Sequence, residues 1–481
     1  MRAAVLRHHR ALLTTEVPNM PANQSRSKRL WAALALPLCL AACGGGDGYG
    51  GDITPPPGGD ITPPPATCSV ADQKAWLTTY MDESYFWYRL SPRPDPAPYA
   101  SVDAYFEALL YTGTNASFPA DRWSGSQSIE SFDRFFGDGA TLSYGVAVTG
   151  VEAGGDPARP LWVRYVEPNS PAAAQGVQRG DQIISLNGRA VASVVAADDY
   201  SVLSPSRAGE QLSLVLRRTG VERTVVLSAA EYKLSPVRGA AVQTTLGGRK
   251  LGYVQIKDMI SQALAPLETA FAQFKAAGVQ DVVIDLRYNG GGLVSTGEKL
   301  ASYVAGARGN GLNYATLLYN DKRAASNNHS YPFTTPISSL GLPRVIVLTG
   351  PRTCSASEQV INGLRGAGVE VLTVGNTTCG KPVGFLPASN CGRTYSVVNF
   401  ESVNQRNEGR YFDGFDASCP VVEDFTAAQG GVVDPLMATA RVLVDGGQCA
   451  PLLNGQAKPL AVRRSPAPRI EPGESPGMVP R

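Results

Sequence analysis

The sequence predicts an α/β protein in which a small β-rich module and a helical segment precede the main core. Three observations carry that expectation. Residues 240–449 alternate apolar strand-like runs with helical runs, residues 140–232 read as short strands and turns, and residues 68–136 set aromatic side chains at helical spacing. A chain of 481 residues, 43% of them hydrophobic, can hold two to four domains. A formal charge of +2 gives no electrostatic reason to expect nucleic acid or another strongly charged partner.

The first element is an address. A basic "SRSKRL" leads into "LWAALALPLCLAA", an apolar run over residues 30–42 that is too short to span a bilayer and suits a signal peptide. It ends in Leu40-Ala41-Ala42-Cys43-Gly44, which resembles the bacterial lipobox. That resemblance implies removal of residues 1–42 and acylation of Cys43, which would anchor the chain in a membrane. Gly44 in place of Asp points to the outer membrane, on the periplasmic side of a bacterial cell envelope. The competing reading is an ordinary signal peptide with an incidental cysteine, and Met20 is an alternative start. Residues 43–67 then form a Gly/Pro linker in which "GGDITPPP" occurs twice in tandem, and residues 450–481 have the composition of a disordered tail. The expected boundaries between these ends are 68–137 for the helical segment, 138–232 for the β-rich module and 238–449 for the core.

Within the module, "LWVRYVEPNSPAAAQGVQRGDQIISLNGRAV" (161–191) sets a strand before Pro168-Asn169-Ser170-Pro171, followed by Gly176, Gly180-Asp181 and Asn187-Gly188. This run resembles a PDZ domain. The resemblance implies a groove that takes a peptide as an added strand, with its carboxylate held by Tyr144, Gly145, Val146 and Ala147. A structural β-domain with an occluded groove remains the alternative.

The chemistry concentrates at two strand–turn–helix junctions, "DVVIDLRYNGGG" (281–292) and "RVIVLTGPRTCSASEQV" (344–360). Both set helix N-termini at the C-terminal edge of a sheet, where sites in open α/β folds form and where free N–H groups suit an oxyanion. No phosphate-loop pattern accompanies the triple glycine. The second junction offers Cys354, Ser355 and Ser357 as nucleophiles, with Ser355 and Glu358 also fitting a helix capping box. A base is harder to find. Of three histidines, His8 and His9 lie in the leader and His329 in a polar loop. Lys381, in a stretch without Asp or Glu between Glu370 and Glu401, could serve if desolvated. A surface lysine on a turn explains it about as well.

Together, "DLRYNGGG", "CSASE" and "TTCGKPVG" after a PDZ-like block resemble the C-terminal processing (tail-specific) peptidases across roughly residues 70–449. The resemblance implies a ClpP/crotonase-like core with Ser355 as nucleophile and Lys381 as general base. It further implies amides of Gly291, or a neighbour, and Ala356 as the oxyanion hole, protein substrates with free C-termini, and no metal or organic cofactor. Three departures stand out: Phe385 where the family often has glutamine, a Ser355-to-Lys381 loop of 26 residues that is one longer than usual, and Cys379 in place of an aromatic. Six cysteines follow the leader and Cys43, an even number that argues for disulfides in an exported protein. Because the dyad implied by the resemblance brings Ser355 near Lys381, Cys354–Cys379 is the expected first pair. Cys391–Cys419 and Cys68–Cys449 are the expected remainder. The non-enzymatic alternatives are an envelope adaptor that binds protein tails and a core that binds small molecules or lipids.

Overall fold

The computed structural model describes residues 67–150, 156–449 and 477–480. The leader, Cys43 and the linker up to residue 66 lie outside the described residues, as does most of the tail.

The core is built on a six-stranded sheet in the order Val237–Thr244, Lys250–Ile256, Asp281–Asp285, Arg344–Thr349, Glu370–Gly375, Cys419–Pro420. All neighbours are parallel except the first pair, which is antiparallel. Parallel strands need covered faces, and "DVVID" is buried along its whole length. Val282 and Ile284 face the cluster that includes the helices Leu264–Ala277, Val294–Ala305 and Ala356–Gly366. Val283 faces the helix Pro435–Val444 on the other side. A second, four-stranded sheet runs His329–Pro332, Asn313–Tyr319, Val398–Val403, Val383–Phe385. Its Phe400 joins the same cluster as Ala356 and Val360, so the helix starting at Ala356 is buried between the two sheets.

The β-rich module is an antiparallel sheet with Val146–Val148 at its edge, followed by Leu161–Val166, Gln182–Leu186, Gln211–Arg218 and Val221–Ser228. Ala140–Ser143 pairs with Ala230–Lys233 and closes the module. Gly145 is required there, with φ +81° and a Cβ position only 1.9 Å from the Ser170 Cβ.

The amino-terminal segment holds the helices Val70–Ser84, Val102–Leu109 and Ile129–Phe136, each with a serine N-cap. Its aromatic residues do more than pack among themselves. Trp76, Trp87, Phe106 and Trp123 share one buried cluster with Val383, Phe385 and Tyr395 of the core. Gly125–Ser128 also pairs with Arg393–Ser396, a strand the helical reading did not anticipate.

Two further expectations are corrected. The disulfides are Cys354–Cys379, as expected, but then Cys68–Cys391 and Cys419–Cys449 in place of Cys391–Cys419 and Cys68–Cys449. The reason is topological: Gly125–Ser128 and the first helix dock beside Arg393, which brings Cys68 to Cys391. The tail is also not uniformly without structure, since Gly477–Val479 forms a strand on Gly291–Leu293.

Cys68–Cys391 closes the longest loop, at a sequence separation of 323. Replacing both cysteines by alanine is expected to lower unfolding free energy by about 2–4 kcal/mol. Urea unfolding followed by tryptophan fluorescence reads the change, and an unchanged midpoint would show that the bridge adds nothing to the docked segment.

Candidate functional site

Both junctions converge at the carboxyl edge of the core sheet. After Asp285 the chain turns through Asn289, whose side chain and carbonyl act as a hub. Its Nδ2 donates to the Ile256 carbonyl at 3.0 Å, and its carbonyl accepts from Cys354 N at 3.0 Å and Ser357 Oγ at 3.0 Å. Thr353 Oγ1 donates to the Leu286 carbonyl at 2.8 Å. These bonds lock "TCSAS" onto the glycine loop and sort its candidate nucleophiles. Cys354 is consumed in a disulfide, and Ser357 Oγ is held by Asn289. Ser355 Oγ is fully buried with no hydrogen-bond partner among the described residues.

Ser355 sits at φ +61°, ψ −118°, a region non-glycine residues rarely occupy. Such an outlier at the mouth of a helix is a marker of stored strain at a functional turn. Ser355 and Glu358 face each other as a capping pair. Only the glutamate half is a true bond, since Glu358 Oε2 accepts from Ser355 N at 3.0 Å while the serine hydroxyl stays unpartnered.

Glu358 reaches further than a cap. Its Oε2 also accepts from Lys381 N at 2.8 Å, and its Oε1 from Gly380 N at 2.8 Å and Thr378 Oγ1 at 2.6 Å. One buried carboxylate therefore joins the Ser355 turn to the Lys381 turn. Burial pushes its carboxyl above the usual range, and the hydrogen bonds from Thr378, Lys381, Gly380 and Ser355 pull the other way. The Cys354–Cys379 disulfide and a Cys379 N to Thr353 carbonyl bond of 3.0 Å run beside it. Gly380 meets the steric demand of this turn, with φ +82° and a Cβ position 2.2 Å from the Phe412 carbonyl oxygen.

Lys381 is buried, and desolvation lowers its ammonium pKa to about 7, with Asp121 and Glu358 opposing. Its Nζ lies 4.0 Å from the centroid of the Phe385 ring. The residue that departs from the family pattern thus contacts the amine directly. Phe385 belongs to the aromatic cluster of the amino-terminal segment, and Arg122 of that segment donates to the Phe412 carbonyl at 3.3 Å. The segment therefore packs against the strand that follows Lys381.

Other expectations fare differently. Gly291, expected to donate to an oxyanion, is corrected: its N–H goes to Asn289 Oδ1 at 2.9 Å. The Ala356 amide is at the first helical position, where no intrahelical acceptor exists. His329 is exposed and starts an edge strand, with its ring 4.9 Å from that of Tyr331. Of the peptide-binding quartet, Val146 and Ala147 open the edge strand of the module. Tyr144 is buried with its carbonyl accepting from Ala172 N at 3.0 Å, and Gly145 N donates to Ser143 Oγ at 3.0 Å. That last bond takes Gly145 out of the set of free carboxylate donors. Cys354, Glu358 and Cys379 cluster as metal ligands would, but both sulfurs are disulfide-bonded and the carboxylate is already filled.

The sequence reading missed the bracing behind the glycine loop. Arg179 of the module donates to Tyr288 Oη at 2.6 Å and to Glu423 at 2.9 Å. Arg287 is buried against Asp285 at 2.9 Å and Asp434 at 2.7 Å. Arg179 lies inside the quoted "GVQRGD" turn and Tyr288 inside "DLRYNGGG", so both residues were in view, but nothing local pairs one loop with the other.

Comparisons agree with this architecture. Residues 250–389 match peptidase family S41, residues 162–218 a PDZ domain, and residues 72–125 the peptidase S41 N-terminal domain. Residues 250–389 thus carry a peptidase family S41 domain, preceded by a PDZ domain and an S41 N-terminal domain. It is 29% identical over 225 residues to a chloroplastic C-terminal processing peptidase of Tetradesmus obliquus, covering 44% of this chain and 46% of that one. It is 27% identical over 240 residues to a carboxyl-terminal-processing protease of Picosynechococcus, covering 49% and 55%. The chain thus spans about half the length of the curated relatives it matches. A solved structure from Bacteroides fragilis, of a protein assigned to the S41 proteases, superposes with a TM-score of 0.61 at 25% identity. That match covers 77% of this chain and 97% of the other.

If Glu358 is the clamp between the two turns, Glu358→Ala strands three buried amides and a hydroxyl. A loss on the order of 4 kcal/mol in urea unfolding is expected, with Glu358→Gln intermediate because an amide offers one acceptor and two unwanted donors. Equal stability of the alanine and glutamine variants would contradict the clamp.

Proposed function

We propose that the chain is a serine endopeptidase with a Ser355/Lys381 dyad that acts on protein C-termini. The observation that carries this reading is the junction at Glu358: one oxygen bonds both Ser355 N and Lys381 N, beside an unpartnered serine hydroxyl and a lysine whose pKa burial lowers to about 7. A neutral amine near a serine hydroxyl is the chemical requirement for proton abstraction at ordinary pH. Ser355 Oγ attacks the scissile carbonyl as Lys381 Nζ takes its proton. Lys381 then returns that proton to the leaving amine, and water hydrolyses the acyl-enzyme by the same route.

The Ala356 amide is one oxyanion donor, and the second comes from an amide of the Gly290–Gly292 run other than the engaged Gly291. Phe385 takes the place of an orienting glutamine by packing against the amine. The PDZ domain presents an unstructured C-terminus by strand addition at Val146–Val148. The lipobox-like Leu40–Gly44 supports anchoring through Cys43 in a bacterial envelope, on the periplasmic side of the outer membrane. Three disulfides support an oxidising compartment.

Ser355→Ala and Lys381→Ala are each expected to abolish cleavage of an unfolded protein substrate, read by mass spectrometry, while the far-ultraviolet circular dichroism is retained. Binding without cleavage by the unaltered chain would favour an adaptor. Stability supplies an independent check. Lys381 has a folded pKa of about 7, below its ordinary value of 10.5, so the fold disfavours the ammonium. Unfolding free energy then rises with pH from about 7 to about 10.5, and the penalty is greatest below 7. Lys381→Met is expected to stabilise the protein at pH 6 by on the order of 4 kcal/mol, a gain that vanishes near the ordinary lysine pKa. A destabilised methionine variant at pH 6 would sink this account of the lysine.

A further inference from the structure

We infer that Gly477–Val479 of this same chain is an intramolecular occupant of the peptide cleft, so that the site recognises an extended apolar segment and is competed for by its own tail. The inference rests on the peptidase reading only for calling the cleft a substrate cleft. The strand pairs in parallel with Gly291–Leu293, in the register Gly291↔Gly477, Gly292↔Met478, Leu293↔Val479. Gly291–Leu293 is the outlet of the glycine loop whose Asn289 carbonyl holds Cys354 and Ser357 on either side of Ser355.

The opposite wall is the Lys381 side. The Met478 carbonyl oxygen lies 2.6 Å from where a Cβ on Gly384 would stand, and Gly384 belongs to the strand Val383–Phe385 that follows Lys381. The segment is therefore threaded between the loop that follows the first junction and the strand that follows the lysine.

Its side chains are seated. Met478 is fully buried in the cluster that contains Ala356, Val360 and Phe400. Its sulfur lies 3.5 Å from Gln359 Nε2, one helical turn beyond Ser355. Val479 is buried with Phe132, Phe136, Ile260 and Leu293. Burial of both neighbours in one short strand is unusual for an extended segment on a surface, where alternate residues face water. Here two different walls, the helix starting at Ala356 and the aromatic end of Ile129–Phe136, take one side chain each. A flexible thioether fills irregular pockets, which fits a site that accepts unbranched apolar residues beside Gln359. An intramolecular strand is present at high effective concentration, so a substrate must displace it and the apparent KM rises in inverse proportion to the fraction of clefts left open.

The test uses the full chain. Met478→Asp and Val479→Asp, singly and together, are expected to lower KM for an unfolded peptide substrate about tenfold with kcat little changed. A synthetic peptide of sequence SPGMVPR (residues 475–481) should inhibit the double variant competitively, and SPGDDPR should not. A fluorescein-labelled SPGMVPR should bind the double variant carrying Ser355→Ala more tightly than it binds the Ser355→Ala chain with its tail intact. Unchanged KM together with no peptide binding would overturn the proposal. Tail-dependent peptide binding with no hydrolysis by any variant would instead sink the peptidase reading and leave the cleft occupant standing.

Discussion

A single carboxylate oxygen, Glu358 Oε2, bonds the backbone of two turns that enter the site from different strands of the core. Every other feature of the site depends on that junction. It fixes the Ser355 turn in a strained conformation, and it holds the Gly380–Lys381 turn with the lysine side chain directed into the Phe385 ring. A carboxylate suits the task because it accepts several short bonds at once and has no donor to misplace. The cost is burial of a charge, which four hydrogen bonds offset only in part.

The second constraint is exclusion of water from Lys381. A lysine beside a carboxylate would ordinarily keep its proton, yet Glu358 directs both oxygens toward N–H and O–H donors. Its influence on the amine, like that of Asp121, is thereby weaker than desolvation by burial. That explains why the segment before the PDZ domain is bolted to the core by a disulfide, a strand pair and shared aromatics. The amino-terminal segment thereby packs around Phe385, whose ring contacts the Lys381 amine.

Much of this was legible in the sequence. The alternation of "KLGYVQI", "DVVIDLR", "RVIVLTG" and "VEVLTVG" with helical runs gave the parallel sheet, because strands buried on both faces read as continuous apolar runs. The Cys354–Cys379 pair was readable because both cysteines flank the two motifs that carry Ser355 and Lys381, whose turns meet at Glu358. What stayed hidden depends on contacts between distant segments. The pairing of Cys68 with Cys391 needs the docking of Gly125–Ser128 on Arg393–Ser396, which no local pattern encodes. The family resemblance implied Gly291, or a neighbour, as an oxyanion donor, but the Asn289 side chain two residues earlier claims the Gly291 N–H. The strand Gly477–Val479 was masked by a Pro/Gly-rich neighbourhood whose composition predicts no packed structure.

The central claim is that burial makes Lys381 a neutral base for Ser355. Its most direct test is the second-order rate at which a neutral sulfonyl fluoride modifies Ser355 between pH 5 and pH 10, a readout that does not depend on knowing the substrate. The account predicts a single rising ionisation with an apparent pKa of about 7 and no such rise in Lys381→Met. A rate that stays flat until the ordinary lysine range, or a profile that survives Lys381→Met, would contradict it.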